Sequence, residues 1–140
     1  LTLAGGAIVY RSKTQSVTAL SSTEAEFFAA VSASKVILYI RSVLRELKFP
    51  MENPTSVCED NEACIKVINA RHRTDRTRHI NTPAFRVQSW RERGDLIFRH
   101  IKGILNPADA KSKPLGWVLH TRHSRRLMGH YCTTSTGTVN

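Results

Sequence analysis

The chain has 140 residues, 41% of them hydrophobic, and its 21 Lys and Arg outnumber its 11 Asp and Glu to give a net charge of +10. That length suits a single domain with one packed core. The positive charge favours a phosphate-bearing partner, nucleic acid above all, because each neutralised phosphate releases counterions. No run approaches the roughly 20 consecutive apolar residues of a membrane span, and the N-terminus lacks the pattern of a signal peptide, so we expect no membrane partner.

The first predicted elements are a hairpin and a long helix. Residues 5–13 have the pattern of a turn feeding a strand, and residues 16–20 that of a second strand. Ser21 or Thr23, each with a glutamate three residues later, predicts a capping box for a helix that continues to about Lys48. Apolar residues at three- and four-residue steps predict the buried stripe of this helix, which comprises Ala29, Ala33, Val36, Ile40, Val43 and Leu47.

Two later strands each precede an acidic residue at a helix start. Residues 55–59 are rich in β-formers, and Asp60-Asn61 then caps a second helix. A strand over residues 96–101 leads to Asn106, Pro107 and Asp109, which have the cap and first-turn chemistry of another helix. The alternation of strands and helices predicts an α/β fold with a mixed sheet covered by helices.

The remaining predicted helices frame the last strand. Asn81 or Thr82 followed by Pro83 predicts the start of a helix that ends near Arg93. The basic segment from residue 117 predicts a C-terminal helix that contains histidines and packs through Trp117, Leu119, Leu127 and Met128. We expect its histidines to be structural, not metal ligands.

Three carboxylates stand out as candidate catalytic and metal-binding residues: Glu26, Asp60 and Asp109. Each has an ordinary structural explanation, because an acid at a helix N-terminus contributes about 0.3 to 1 kcal/mol through the cap and the macrodipole. Glu26, however, lies in the apolar run Ala25-Glu26-Phe27-Phe28, where a solvated charge is out of place, whereas Glu24 has a more polar setting. Converging carboxylates in a basic protein suit Mg²⁺, which commonly bridges protein carboxylates to substrate phosphates.

Four motifs in this order resemble the ribonuclease H domain of copia-type LTR retrotransposon polyproteins. They are Leu20-Ser-Ser-Thr-Glu-Ala-Glu-Phe-Phe-Ala-Ala, Cys58-Glu-Asp-Asn-Glu-Ala-Cys-Ile, Arg76-Thr-Arg-His-Ile-Asn, and Asn106-Pro-Ala-Asp with Ser112-Lys-Pro-Leu. The resemblance implies a ribonuclease H-like domain over residues 1–117, with a basic C-terminal helix and tail over 118–140. It also implies that Glu26, Asp60 and Asp109 are catalytic.

The activity implied by this resemblance is cleavage of the RNA strand of RNA–DNA hybrids during reverse transcription. Two Mg²⁺ ions, or Mn²⁺, would be held by four carboxylates, and Glu26 would lie nearest the 2′-hydroxyl that distinguishes RNA from DNA. The implied partner is the reverse transcriptase domain of the same polyprotein, in cytoplasmic virus-like particles. The residues expected to hold the nucleic-acid backbone are Arg71, Arg73, Arg76, Arg78 and Lys102.

Departures from the family pattern leave other interpretations open. The chain begins after the strand that carries the family's first catalytic aspartate, so we expect a missing first strand and weak metal binding by this fragment. Asn81 stands where the family usually has aspartate, and Ala110-Lys111 replaces an apolar pair. A catalytically inactive nucleic-acid-binding remnant is therefore the alternative, and whether this chain is an enzyme stays open. An integrase or resolvase core is disfavoured, because those cores usually place their last glutamate late in the chain.

Overall fold

The computed structural model describes residues 1–10, 19, 21–70, 78–111 and 113–130, without the side chains of 78–82 and 111. These residues form two compact units, one of Leu1–Thr14 with Lys102–Asn140 and the other of Gln15–Ile101. The predicted strand at residues 16–20 lies almost wholly outside the described residues, as do Arg71, Arg73, Arg76 and Cys132. The described part of the chain is a mixed α/β structure.

The second unit begins with the long helix α1, Ser22–Glu46, which confirms the predicted helix to within two residues at its end. Ser21 is the N-cap, and its Oγ accepts a hydrogen bond of 3.1 Å from the backbone N of Glu24. By length and composition α1 could cross a membrane, a property shared by core helices of soluble proteins and by signal sequences. Here it packs on the other helices and on the sheet of its unit.

The predicted buried stripe of α1 is wrong. Ala29, Ala33 and Leu47 are exposed, whereas the residues that are buried are Glu24, Phe27, Ala30, Val31, Ser34, Ile37 and Arg41. Apolar residues surround most of this helix, so periodicity alone could not single out the inward face. Ser34 and Arg41 lie on that face: the Ser34 hydroxyl donates to the Ala30 carbonyl at 2.8 Å, and the Arg41 guanidinium donates to the Asn53 carbonyl at 2.8 Å.

Two parallel strands form the sheet of this unit, β3 (Thr55–Glu59) and β4 (Leu96–His100). Both match the predicted strands. Alternation along them places Val57, Glu59, Leu96 and Phe98 on the buried face. The core is completed by apolar residues of the helices: Phe27, Ala30, Val31 and Ile37 from α1, Cys64 and Ile68 from α2 (Glu62–Asn69), and Val87 from α3 (Arg78–Glu92).

The predicted start of α3 is also wrong. The helix begins at Arg78, so Pro83 lies inside it and not at its first position. Proline has no N–H, and α3 therefore lacks the hydrogen bond that residue 83 would donate to the carbonyl of residue 79. The helix tolerates this loss of one bond, whereas sequence rules favour a helix start at proline because the first N–H groups have no partner in any case.

A buried ion network joins α1 to the start of β4. Arg41 donates to the backbone oxygens of Asn53 at 2.8 Å and Met51 at 3.1 Å. Asp95 accepts from Arg45 at 2.9 Å and from Arg93 at 3.1 Å, and Arg41 Nε lies 3.9 Å from it. Burial by itself raises the pKa of Asp95, but the hydrogen bonds from Arg45 and Arg93 hold it below its ordinary value.

The first unit contains a short hairpin, two 3-10 helices and the helix α4. Strands β1 (Thr2–Leu3) and β2 (Gly6–Ala7) pair antiparallel around a two-residue turn whose Ala4 and Gly5 both have positive φ. The segment predicted as a helix at Asp109 is a 3-10 helix, Pro107–Lys111, which follows another at Gly103–Leu105. Helix α4, Trp117–Leu127, packs on Pro107–Lys111 and on β2.

Candidate active site

Two of the three predicted carboxylates, Glu26 and Asp60, line one open cleft of the second unit. The cleft has a volume of ≈ 490 Å³, and its other lining residues are Asn61, Glu62 and Ala63. Glu26 and Asp60 are separated by 34 positions of sequence, so the fold of the unit brings them together. The spacing of the two acids in the sequence does not by itself show that they are close in the folded chain.

Local structure explains how each of these carboxylates reaches the cleft. Glu26 follows the capped first turn of α1 and is exposed, while Glu24, two residues earlier, is buried, the reverse of the polarity expected from sequence. Asp60 directly follows β3 and precedes Asn61, the N-cap of α2, whose Oδ1 accepts from Cys64 N at 3.0 Å. The end of β3 therefore delivers Asp60 to the positive end of the α2 dipole, which stabilises a negative charge there.

Glu59 is a buried carboxyl group that interacts with Glu26 and Asp60, and sequence reasoning missed it. The residue is 8% exposed, and burial raises the pKa of its side chain to about 7 from an ordinary 4.5. The backbone N of Asn61 donates to Glu59 Oε1 at 3.1 Å and lowers the pKa in part. The charges of Glu26 and Asp60, and a hydrogen bond with Asp60, raise it further.

One signal in the sequence could have identified Glu59. In a strand of alternating burial, Glu59 has the same parity as Val57 and so points inward with it. A glutamate at an inward position of a strand carries a large desolvation cost unless it is protonated, paired or bound to a cation. A buried carboxyl group with this cost, next to a second acid at the end of the strand, is typical of a functional site.

The pKa of the Cys64 thiol, inside the unit, is affected by the same group of carboxylates. Burial raises the pKa of its thiol to about 12, and the negative charges of Glu59 and Glu26 contribute to the shift. Cys58 and Cys64 are both free thiols. A thiol with so high a pKa stays protonated and unreactive at neutral pH, so we assign Cys64 no chemistry.

The donor set of the cleft suits a hard cation. Mg²⁺ is commonly bound through one or two protein carboxylates, with water and substrate phosphate oxygens as its other ligands. Glu26 and Asp60 supply two such carboxylates, and a cation would offset the repulsion that contributes to the raised pKa of Glu59. Within the described ranges, however, no group of three or more His, Cys, Asp or Glu side chains is arranged to hold a metal ion.

Asp109 lies in the first unit, where it has a cationic neighbour. Its carboxylate oxygens lie 3.1 and 3.2 Å from Lys113 Nζ, and the side chain is largely buried. Asn106 Oδ1 accepts from Ala108 N at 3.2 Å, so the predicted cap chemistry is present although the helix is of the 3-10 type. The ion pair holds Asp109 in place within its own unit.

His123 lies inside the first unit near Asp109. It is 1% exposed, and neither ring nitrogen has a hydrogen-bond partner among the described residues. Burial lowers its pKa first of all, the charge of Asp109 raises it, and Arg122, Arg126 and His120 lower it again. The net shift favours the neutral imidazole. His120 and His130 are exposed.

Of the residues predicted to hold nucleic acid, Lys102 is exposed and Arg78 begins α3, but the side chain of Arg78 lies outside the described part. Arg71, Arg73 and Arg76 lie outside it altogether. Their predicted role is not tested by the geometry.

Comparison with known proteins supplies the context of this site. The chain is 31% identical over 112 residues to the retrovirus-related Pol polyprotein from transposon TNT 1-94 of Nicotiana tabacum. The match covers 80% of this chain but only 8% of that polyprotein. No family model matches the chain, and no solved structure matches it. The chain is thus related to a segment of a retrotransposon Pol polyprotein.

Proposed function

We propose that this chain is a ribonuclease H-like domain that cleaves the RNA strand of RNA–DNA hybrids during retrotransposon reverse transcription. The observation that carries the proposal is the cleft that Glu26 and Asp60 line together, with the buried Glu59 close enough for their charges to raise its pKa. The relation to a Pol polyprotein supports it, because a polyprotein of that kind would supply the hybrid substrate. The proposed partner is a reverse transcriptase domain of the same polyprotein, and the proposed location is a cytoplasmic particle.

Glu26 and Asp60 would hold Mg²⁺ or Mn²⁺ at the open side of the cleft, where a phosphate can approach. The ions would supply activation of a water and neutralisation of the charge that develops on the departing 3′ oxygen. Asp60 is fixed by its place between β3 and the cap of α2, and Glu26 by the first turns of α1. Glu26 is exposed and can therefore reach a 2′-hydroxyl, the group that distinguishes RNA from DNA.

The positive charge of the chain would hold the substrate. With a net charge of +10, the protein attracts the phosphate backbones of both strands independently of sequence. The contacts to these phosphates would come from the exposed Lys102 and from the predicted contacts Arg71, Arg73, Arg76 and Arg78. The resemblance also assigns Asp109 to the catalytic set, and this assignment needs a test of its own, because the ion pair with Lys113 already accounts for its position.

The experiment is cleavage of a hybrid with a labelled RNA strand, with and without Mg²⁺ or Mn²⁺. Because the resemblance expects a fourth carboxylate upstream, the assay uses both this chain and a version extended by the expected strand. We expect Glu26→Gln and Asp60→Asn each to lower the rate by at least about 100-fold, the scale of losing a transition-state charge contact. Glu62→Gln is the matched control, since Glu62 lines the same cleft but is not a predicted ligand.

Two results would overturn the proposal. One, which would favour the inactive remnant, is hybrid binding that does not respond to Mg²⁺, with no cleavage by the folded extended protein. The other is cleavage that survives both Glu26→Gln and Asp60→Asn, which would place the chemistry elsewhere. Asp109→Asn, tested in the same assay beside Lys113→Gln, separates a catalytic role of Asp109 from a structural role of its ion pair.

A further inference from the structure

Helix α4 presents an aromatic residue and several arginines to solvent, contrary to the packing expected from sequence. Trp117 is 81% exposed and Met128 66%, although both are predicted above to pack inward. Arg122 and Arg125 are exposed as well. A tryptophan this accessible at the start of a helix contributes little to the fold of its own unit. Its indole is instead available to contact a ligand at the surface.

The geometry of the helix separates its inner and outer faces. At about 100° per residue, Leu119, His123 and Leu127 lie on one side. His123 is buried and the two leucines are half-buried in a helix that packs on Pro107–Lys111 and β2. The opposite side carries Trp117 and Val118 in the first turn and Arg122 and Arg125 in the next two. From Trp117 to Arg125 the helix rises about 12 Å.

The charge of this outer face is of one sign. Helix α4 contains three arginines and no Asp or Glu, and the ion pairs found among the described residues do not involve any of those arginines. These residues are Arg122, Arg125 and Arg126. An uncompensated row of guanidinium groups beside an exposed indole matches a ligand that combines phosphates with flat aromatic rings.

We propose that the outer face of α4 binds single-stranded nucleic acid, with Trp117 stacked on an unpaired base and Arg122 and Arg125 on the flanking phosphates. An exposed indole can stack only on a base that is free of its own neighbours, so the single strand fits better than a duplex. A membrane surface fits less well, because an interfacial helix needs a continuous apolar face turned outward. In α4 the apolar residues Leu119 and Leu127 face the unit instead.

Binding of a single strand at this surface is a property separate from the proposed cleavage. It rests on the proposed function only for the identity of the strand that binds there naturally. The binding needs no metal and no chemistry. It can therefore be measured in a chelator, where a failure of binding and a failure of cleavage are distinct results.

The test is anisotropy of a short fluorescein-labelled oligodeoxythymidine titrated with the chain in EDTA. We expect Trp117→Ala to weaken binding about tenfold and Trp117→Phe to retain most of it, since loss of one stacked base costs on the order of 1 to 3 kcal/mol. Arg122→Gln with Arg125→Gln should reduce the slope of log K against log salt by about 1.4, from roughly 0.7 per phosphate contact.

The matched control is Lys35→Gln with Lys48→Gln, which removes the same charge from exposed positions of the second unit. We expect its salt slope to stay within the error of the native chain. Equal affinity of the native chain and Trp117→Ala would overturn the proposal, as would equal losses in the two double variants. Binding to phosphatidylserine vesicles without binding to the oligonucleotide would also overturn it, in favour of a membrane surface.

Discussion

The buried carboxyl of Glu59 makes the stability of the protein depend on pH in a defined direction. Its pKa is about 7 in the folded chain against an ordinary 4.5, so the folded state binds more protons between these values. The stabilisation by the protonated carboxyl is complete below about pH 4.5 and is lost as pH rises through 7. Between about pH 5 and pH 8 this group alone lowers the free energy of unfolding by about 2.5 kcal/mol.

The variant Glu59→Gln isolates this effect. Glutamine resembles the protonated carboxyl in shape, and its Oε1 can still accept from Asn61 N as Glu59 does at 3.1 Å. We expect the variant to be more stable than the native chain at about pH 8, by on the order of 2 kcal/mol, and nearly equal to it at about pH 5. Urea denaturation of both proteins at the two pH values measures the difference.

The control for this prediction is Glu62→Gln, an exposed acid of the same cleft, which should change stability by less than about 0.5 kcal/mol at either pH. A stability difference between native and Glu59→Gln that is the same at both pH values would refute the assignment of the raised pKa to Glu59.

Three further predictions concern the described contacts. Asp95→Ala leaves the charge of the buried Arg41 without its acidic neighbour and should destabilise the fold by about 3 kcal/mol in urea denaturation. Ser21→Ala removes the acceptor that caps α1 and should cost about 1 kcal/mol in the same measurement. Of the two described thiols, Cys58 should react with a thiol reagent at about pH 8 while Cys64 does not until the protein is unfolded, because burial raises the pKa of Cys64 to about 12.

Each of these predictions has a matched comparison. Glu46→Ala, an exposed acid of α1, is the control for the charge change at Asp95, and Ser32→Ala, an exposed serine of the same helix, is the control for the cap. Equal effects of Ser21→Ala and Ser32→Ala would show that the cap hydrogen bond contributes nothing. Rapid modification of both thiols in the folded chain would contradict the burial of Cys64.

Elements with strong local chemistry were predictable from sequence. The cap at Ser21 and the strands Thr55–Glu59 and Leu96–His100 are set by side chains within a few residues of each boundary. The start of α3 was not, because Pro83 lies inside the helix although proline there loses one hydrogen bond and crowds the carbonyl four residues earlier. Where the local sequence and the contacts of the folded chain favour different helix bounds, the contacts determine the bounds.

The faces of the helices were harder to predict than their bounds. An almost uniformly apolar α1 has no single periodic stripe, and on its inward side Arg41 finds hydrogen-bond partners outside the helix. In α4 the tryptophan is exposed and a histidine is buried, the reverse of what average burial of these residue types favours. At the cleft, Glu26 was predicted from its apolar setting and Asp60 from its place between a strand and a helix start. Glu59 was missed, although its parity with Val57 along β3 indicates that it points inward.

We propose that Glu26 and Asp60 act together on a hybrid. The most direct measurement follows both strands of an RNA–DNA hybrid, each with its own label, in Mg²⁺ with the extended native chain, Asp60→Asn and Glu62→Gln. We expect products from the RNA strand alone, with the native chain and Glu62→Gln but not with Asp60→Asn. Cleavage of both strands, or an unchanged rate with Asp60→Asn, would contradict it.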